Sequence, residues 1–228
     1  MRLDKFLVEC GLGSRTQVKL ILKKKQISVN GNSETSPKVQ VDEYRDEIKY
    51  NGTLVSYEKF VYYMLHKPKG VISATDDPSH KTVLDLLDKT ARDKAVFPVG
   101  RLDIDTTGLL LSPKKHVDKC YEAKISGIMT EDDILAFDNG IILKDFTCLP
   151  ALLEIVEVNQ VKKQSLVKIT IKEGKFHQVK RMVAACGKEV LELKRLSMGN
   201  LQLDKQLESG QWRRLTIKEI EKLEKHMQ

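Results

Sequence analysis

The alternation of apolar and polar residues over positions 1–50 predicts a small module of two helices followed by short strands. The first helix is indicated by apolar side chains at helical spacing: Leu3, Phe6, Leu7 and Cys10. Ser14 and Gln17 form a capping-box pattern, which predicts that the second helix begins just after Ser14. Strands are expected at 27–29, 39–41 and 46–50, with a tight turn at Asn30-Gly31.

From position 60 onward the pattern is that of a larger domain with both strands and helices. Strands are predicted at 61–65 and 71–73, on either side of a loop at 66–70. A short helix at 82–87 and an apolar strand at 109–111 follow, and the last helix begins after a second capping box, Thr216 with Glu219. We therefore predict an α+β protein with a module at 1–50, a polar linker at 51–59 and a larger domain at 60–228.

The composition is that of a globular protein and argues against several classes. Of the 228 residues, 41% are hydrophobic and 31% are charged, which does not fit a disordered or fibrous chain. The four cysteines form no CxxC pair, so a zinc ribbon, a redox motif and a disulfide scaffold are not indicated. With no signal-peptide pattern and no apolar run of about 18 residues, we expect a cytoplasmic protein without a membrane anchor.

The positive charge lies in two separate segments of the chain. Residues 1–30 hold seven basic and two acidic groups, and residues 161–200 hold ten basic and three acidic groups. Because the formal net charge is +7, the rest of the chain is acidic overall. Two basic surfaces suit a polyanion such as nucleic acid, although charge alone fits two solvated helix faces equally well.

A polar loop rich in Arg, Asp and Thr precedes the apolar strand at 109–111. It belongs to the segment PVGRLDIDTTGLLL, and a polar loop between strands is a frequent place for catalytic residues. Composition alone leaves open a plain Asp/Thr/Gly turn with a local ion pair. No phosphate-binding loop, dinucleotide glycine pattern or clustered metal ligands occur in the sequence, so no cofactor and no metal are expected.

PVGRLDIDTTGLLL closely resembles the central motif of the RsuA/RluB-type rRNA pseudouridine synthases. Three other segments resemble motifs of that family in the same order: LHKPKGVISAT, KCYE and EGKFHQVKRM. The first fifty residues, beginning RLDKFLVECGLGSRTQVKLILKKKQISVNG, resemble the S4 RNA-binding domain that precedes the catalytic domain in this family. The resemblance implies a synthase domain with a mainly antiparallel, mixed sheet flanked by helices. Within the family it favours the small-subunit (16S) enzymes, although relatives that act on 23S rRNA share these motifs.

The resemblance also implies a set of catalytic residues. Asp103 falls on the family's catalytic aspartate, Tyr121 on the aromatic residue that stacks on uracil, and Lys180 on the basic partner of the aspartate. A cation beside Asp103 would keep the carboxylate ionised, as a nucleophile requires. We interpret the neighbouring Asp105 as structural, capping the turn with Thr106 or Thr107.

Ribosomal RNA, or a ribosomal subunit during assembly, is the partner that the resemblance implies for a monomeric enzyme. The residues expected to contact it are basic or polar and lie in both domains: Arg15, Lys19, Lys24, Lys25, Lys67, Lys69, Arg101, Lys175, His177 and Arg181. Lys194 and Arg195 are expected on the same basic side. Contacts of this kind to phosphates position a protein on RNA without reading its sequence.

One departure from the family pattern bears on activity. After Leu111 the chain runs directly into Ser112-Pro113-Lys114, where relatives have a polar turn and a helix before the motif that contains Tyr121. A true deletion here would favour a second hypothesis, an S4-bearing ribosome-assembly factor that binds RNA without turning it over. A DNA-binding regulator is a third class, but no recognition helix or dimerisation motif supports it.

Overall fold

The computed structural model describes residues 1–55, 57, 61–94, 96–110 and 117–225. The chain divides into two compact units. The first holds Met1–Val61 with Asp93–Ala95, and the second holds Tyr62–Arg92 and Val96–Gln228. Leu111 to His116, where the sequence departs from the family pattern, lie outside the described residues.

The first unit contains two helices and a four-stranded antiparallel sheet. Its elements are α1 (Leu3–Glu9), α2 (Arg15–Lys23), β1 (Ile27–Val29), β2 (Asn32–Ser33), β3 (Ile48–Tyr50) and β4 (Thr53–Leu54), with the strands in the order β2-β1-β3-β4. The core beneath them contains Val41, which lies outside the strands, and residues of both helices and of the strands: Leu3, Phe6, Leu7, Val18, Leu22, Ile27 and Ile48. The helix and strand residues have the periodicities from which these elements were predicted.

The predicted capping box at the start of α2 is confirmed, but one predicted strand is wrong. Ser14 accepts a hydrogen bond from the Gln17 backbone at 3.4 Å, and the Gln17 side chain accepts one from the Ser14 backbone at 2.7 Å. No strand forms at 39–41, where a single bridge joins Arg2 to Gln40. The second strand is β2 instead, because Asn30 and Gly31 both adopt positive φ, 51° and 84°, and turn the chain straight back on β1.

The second unit is built on one large sheet with helices beside it. Its elements are β5 (Tyr63–Lys67), a 3₁₀ turn (Val83–Leu86), α3 (Lys89–Arg92), β6 (Thr107–Leu110), β7 (Lys119–Ser126), α4 (Glu131–Asn139), β8 (Leu152–Asn159), β9 (Gln164–Ile171), α5 (Gln178–Ala185), β10 (Glu189–Met198), β11 (Leu201–Gln202), β12 (Trp212–Arg214) and α6 (Ile217–Lys225). The strand order among the described residues is β12-β5-β6-β10-β7-β9-β8, with β11 paired to β10. Only β6 and β10 pair in parallel there, so the predicted mainly antiparallel mixed sheet is confirmed.

The first strand of this unit lies two residues further along than predicted. It covers Tyr63–Lys67 rather than 61–65, so a lysine that we placed in a loop is the last residue of a buried strand. The expected strand at 71–73 is reduced to one bridge between Ile72 and Thr82. The expected helix at 82–87 is the 3₁₀ turn, in which Asp85 accepts hydrogen bonds from the backbone and side chain of Thr82.

The close pairing of β6 with β10 positions the polar loop that precedes β6. Gly108 pairs with Arg195 across the two strands, and its φ is 103°. A Cβ added at Gly108 would lie 2.2 Å from the Arg195 carbonyl oxygen, so only glycine fits here. α5 packs its apolar side chains Val179, Met182 and Val183 into the core. Its polar side is thereby turned toward the same loop.

No helix among the described residues is long and apolar enough to cross a membrane.

Candidate active site

A cavity of about 790 Å³ in the second unit brings the polar loop and α5 together. Its walls are residues 72–74, residues 100–106, residues 171 and 174–180, and side chains of β7 and β10. All three predicted catalytic residues line it: Asp103, Tyr121 and Lys180. Two carboxylates, those of Asp103 and Asp105, therefore face a wall that is otherwise rich in cations.

Asp103 lies between two basic side chains of the α5 segment. Its Oδ1 is 3.5 Å from His177 Nε2, and its Oδ2 is 3.7 Å from Lys180 Nζ. The carboxylate is about one-third exposed, at 32%, so it is both accessible from the cavity and close to positive charge. Such a setting places a cation beside the carboxylate and leaves its oxygens open to a ligand.

Lys180 forms its short contact with Asp105 and not with Asp103. Lys180 Nζ donates to Asp105 Oδ1 at 2.6 Å, which is about 1 Å shorter than its approach to Asp103. This hydrogen bond is the main cause that lowers the pKa of Asp105. The interpretation of Asp105 as a cap for Thr106 or Thr107 is therefore corrected: its described side-chain partner is the lysine.

The buried side chain of Lys67 forms hydrogen bonds with the backbone of the polar loop. It is fully buried, and its three ammonium N–H donors are shared among four carbonyl oxygens, those of Pro68, Asp103, Ile104 and Thr106, at 3.0–3.3 Å. Burial lowers its pKa to about 8, while the carboxylates of the loop act in the opposite direction. The prediction that Lys67 contacts RNA is corrected, because an ammonium enclosed by carbonyls is not available to a phosphate.

Tyr121 is fixed by an arginine that was expected on the surface. Arg195 lies opposite Tyr121 in the β7–β10 pairing, is 3% exposed and lines the same cavity. Its Nε donates to the Leu109 carbonyl at 2.7 Å, and it also forms a side-chain hydrogen bond with Tyr121. Since a guanidinium only donates, the phenol oxygen is the acceptor and its orientation is set. Burial lowers the pKa of Arg195, which Tyr121 partly offsets.

His177 carries a strained backbone and an aromatic neighbour. It caps α5 with φ 49° and ψ 31°, the left-handed region, and its ring stacks on Phe176 with centroids 3.8 Å apart and planes 18° apart. Sequence reasoning identified His177 as an RNA contact but passed over Phe176. The available signal was an aromatic residue standing alone in a polar, basic segment.

The remaining predicted RNA contacts fall into three groups. Arg101 and Lys175 are exposed and line the cavity. Lys69 is exposed but outside the lining, and Arg181, also outside it, forms an ion pair with Asp145. In the first unit, the four predicted contacts in α2 and the turn after it are exposed: Arg15, Lys19, Lys24 and Lys25.

No cluster of three or more side chains suited to a metal ion occurs among the residues that the structure describes.

Comparison with known proteins decides the family. A family model described as RNA pseudouridylate synthase matches residues 61–185, and one described as S4 domain matches residues 1–44. The chain belongs to the RNA pseudouridylate synthase family. The match includes Asp103, Tyr121 and Lys180, while Arg195 lies beyond its end. Enzymes of this family are isomerases, so the predicted class of enzyme and the predicted S4 module are confirmed.

Several relatives in this family match along nearly the whole chain. A Bacillus subtilis protein named uncharacterized RNA pseudouridine synthase YtzG is 40% identical, over 96% of this chain and 97% of its own. The ribosomal large subunit pseudouridine synthase B of Bacillus subtilis is 36% identical over 97% and 95%. The ribosomal small subunit pseudouridine synthase A of Haemophilus influenzae is 37% identical over 99% and 100%. A crystal structure of pseudouridylate synthase matches with a TM-score of 0.64 and 35% identity over 98% and 99%.

Proposed function

We propose that this protein converts a specific uridine of ribosomal RNA to pseudouridine, with Asp103 as the nucleophile. The observation that carries the proposal is the position of Asp103, an accessible carboxylate between His177 and Lys180 in a cavity that Tyr121 also lines. Relatives named for the small and for the large ribosomal subunit match nearly the whole chain, which supports ribosomal RNA as the substrate class. The small-subunit RNA remains the favoured target from the overall resemblance of the sequence, since the motifs themselves are shared by relatives that act on 23S rRNA.

The reaction is an isomerisation and needs no external reactant. The C1′–N1 bond of uridine breaks, the uracil turns, and a C1′–C5 bond forms. The proton on C5 leaves and a proton is gained at N1, so the formula and the charge are unchanged. The chain must therefore supply a nucleophile, a proton acceptor at C5 and a place for a nucleotide that has left its stack.

The cavity offers a group for each of these tasks. Asp103 attacks or stabilises the electron-poor ribose or base as the C1′–N1 bond breaks, and Lys180, 3.7 Å away, places a positive charge beside the carboxylate. Tyr121, oriented by Arg195, packs against uracil and takes part in proton transfer at C5. Arg101, exposed at the cavity, fills the gap that the extracted nucleotide leaves.

The test is release of tritium from RNA that contains 5-tritiated uridine. Small- and large-subunit transcripts and partly assembled subunits are each incubated with wild-type protein and with Asp103→Asn, a variant of nearly the same size that has no charge at this position. We expect release by the wild type from one class of substrate and a loss of at least about 10³-fold in the variant, as for removal of a nucleophile.

Two other outcomes of this experiment would contradict the proposal. Release by Asp103→Asn at the wild-type rate would show that the chemistry lies elsewhere in the cavity. No release from any substrate, with RNA binding intact, would favour the RNA-binding assembly factor. The segment after Leu111 would then become the first place to look for the cause.

A further inference from the structure

Phe176 is an exposed aromatic residue at the wall of the active-site cavity. It is 75% exposed, and its neighbours along the chain are Lys175 and His177. Single exposed apolar side chains are common in proteins and need no explanation by themselves. Phe176 differs because one face of its ring is stacked on His177, and at this exposure the opposite face is open to solvent.

The segment that carries Phe176 is held in place by hydrogen bonds. Gln178 is 4% exposed, and its side chain accepts from the Lys175 backbone at 3.0 Å and donates to Glu173 Oε1 at 3.0 Å. His177 is kept in the left-handed conformation, which favours glycine and is costly for other residues. A strained and braced turn that presents an aromatic ring to solvent is a pre-organised contact surface.

The position of the open face identifies what can occupy it. His177 contacts Asp103 at 3.5 Å and stacks on Phe176 at 3.8 Å, so the open face of Phe176 is turned away from the residue that contacts the carboxylate. A ring bound there does not touch Asp103 and therefore is not the reacting uracil. Because Lys175 and Arg101 line the same cavity, the surroundings suit a planar group on a negatively charged backbone.

We propose that the open face of Phe176 is a stacking subsite for an unpaired RNA base that neighbours the reacting uridine. This subsite rests on the proposed function, since it belongs to the same cavity. Every base has a π-face, so the contact anchors the strand beside the active site without selecting a particular base. It holds the neighbouring nucleotide while the target is turned out of its stack.

Phe176→Trp gives a direct reading of stacking that does not depend on catalysis. The chain has one native tryptophan, Trp212, whose ring packs edge-on against Tyr63 at 4.9 Å. The matched control is Val161→Trp, at a 95% exposed position in the β8–β9 turn. That turn adjoins the Ser126–Gln164 end of the sheet, whereas the cavity is at the Lys119–Ile171 end.

Each variant is titrated with small- and large-subunit ribosomal RNA transcripts, and fluorescence is compared with the wild type. Binding is followed independently by the anisotropy of end-labelled RNA. We expect RNA to quench the tryptophan of Phe176→Trp strongly and that of Val161→Trp little. Equal quenching of both, or no quenching of Phe176→Trp while RNA is bound, would overturn the subsite.

Kinetics separate the subsite from a merely structural role. With the RNA that releases tritium, Phe176→Leu should raise KM about tenfold and affect kcat less, and Phe176→Tyr should restore most of the affinity. A fall in kcat with KM unchanged would mean that Phe176 only supports His177 and Asp103. If wild-type protein releases no tritium, the proposed function fails, and the fluorescence titration still decides the subsite.

Discussion

At the scale of single residues, two lysines hold one loop of the site: Lys180 contacts its carboxylates and Lys67 contacts its backbone carbonyls. Lys180 contacts the Asp105 side chain at 2.6 Å and approaches Asp103 at 3.7 Å from the same ammonium. Lys67 holds the backbone of that loop from the buried side. Lys67 therefore holds the backbone of the loop in place, and Lys180 balances the negative charge of the loop's two carboxylates.

Asp105→Asn should slow the reaction by moving Lys180. Without the Asp105 charge, Lys180 shifts toward Asp103 and neutralises the nucleophile more closely. The expected loss is about tenfold in kcat with little change in KM, since charged hydrogen bonds are worth about 1.5–3 kcal/mol and Asp105 is half exposed. Because the hydrogen bond lowers the pKa of Asp105, this carboxylate stays charged throughout the neutral range and the loss should persist there.

The matched control for this variant is Asp145, in the loop between α4 and β8. Asp145→Asn removes the carboxylate that pairs with Arg181, next to Lys180 in α5 but outside the cavity lining. It should leave kcat within about twofold of the wild type, as expected for an exposed ion pair. A normal kcat in Asp105→Asn, or an equal loss in both variants, would show that the position of Lys180 does not matter.

The sequence predicted which residues lie around the polar loop better than it predicted the contacts that those residues form. Asp103, Tyr121 and Lys180 do line one cavity, as their motifs indicated. The burial of Lys67 depends on carbonyls that lie far along the chain, and no local pattern encodes such an acceptor set. Arg195 was expected at the surface because a charge usually indicates exposure, but its cross-strand partner Tyr121 makes burial possible.

At the scale of elements, local signals were reliable and long-range pairing was not. The capping boxes at Ser14 and Thr216 both form, because the groups that define each one lie within four residues. The strand expected at 39–41 failed because strand formation needs a partner elsewhere, and the turn at Asn30 supplied a different one.

Glu219 links the second capping box to an arginine and should stabilise the C-terminal helix. It accepts two hydrogen bonds from Arg213 at 2.8 Å and one from the Thr216 backbone at 2.8 Å. These contacts, Arg213 first, lower its pKa from 4.5 to about 2. The stabilisation is therefore complete above the unfolded value of 4.5 and is lost as the pH falls toward 2.

Glu219→Gln should lower the free energy of unfolding by about 1–3 kcal/mol at pH 7. Urea denaturation at several pH values measures the difference from wild type, which should shrink steadily below pH 4.5. Glu221→Gln, at an exposed position of the same helix, should change stability little at any pH. If the free energies of unfolding of wild type and Glu219→Gln differ by the same amount at every pH, the charge of Glu219 does not stabilise this helix.

At the scale of the whole molecule, the two basic segments fall in different units. The first unit exposes cations along α2 and the turn after it, and the second places Lys175, Lys180 and Arg195 of the other basic segment in the wall of the cavity. An RNA that reaches both units releases counterions from both, so its affinity falls steeply with salt. The charge pattern found in the sequence is then a property of binding rather than of folding.

Lys24→Glu with Lys25→Glu should weaken RNA binding and flatten its dependence on salt. If these lysines contact two phosphates, the slope of log K against log salt should fall in magnitude by about 1.4 to 1.8. The matched control is Lys162→Glu with Lys163→Glu in the β8–β9 turn. It changes the net charge equally, and Lys163 and Lys25 share a left-handed backbone, with φ 51° and 57°. An equal effect of both pairs of substitutions would mean that RNA affinity depends on net charge alone. A smaller effect of the control pair would assign the phosphate contacts to Lys24 and Lys25.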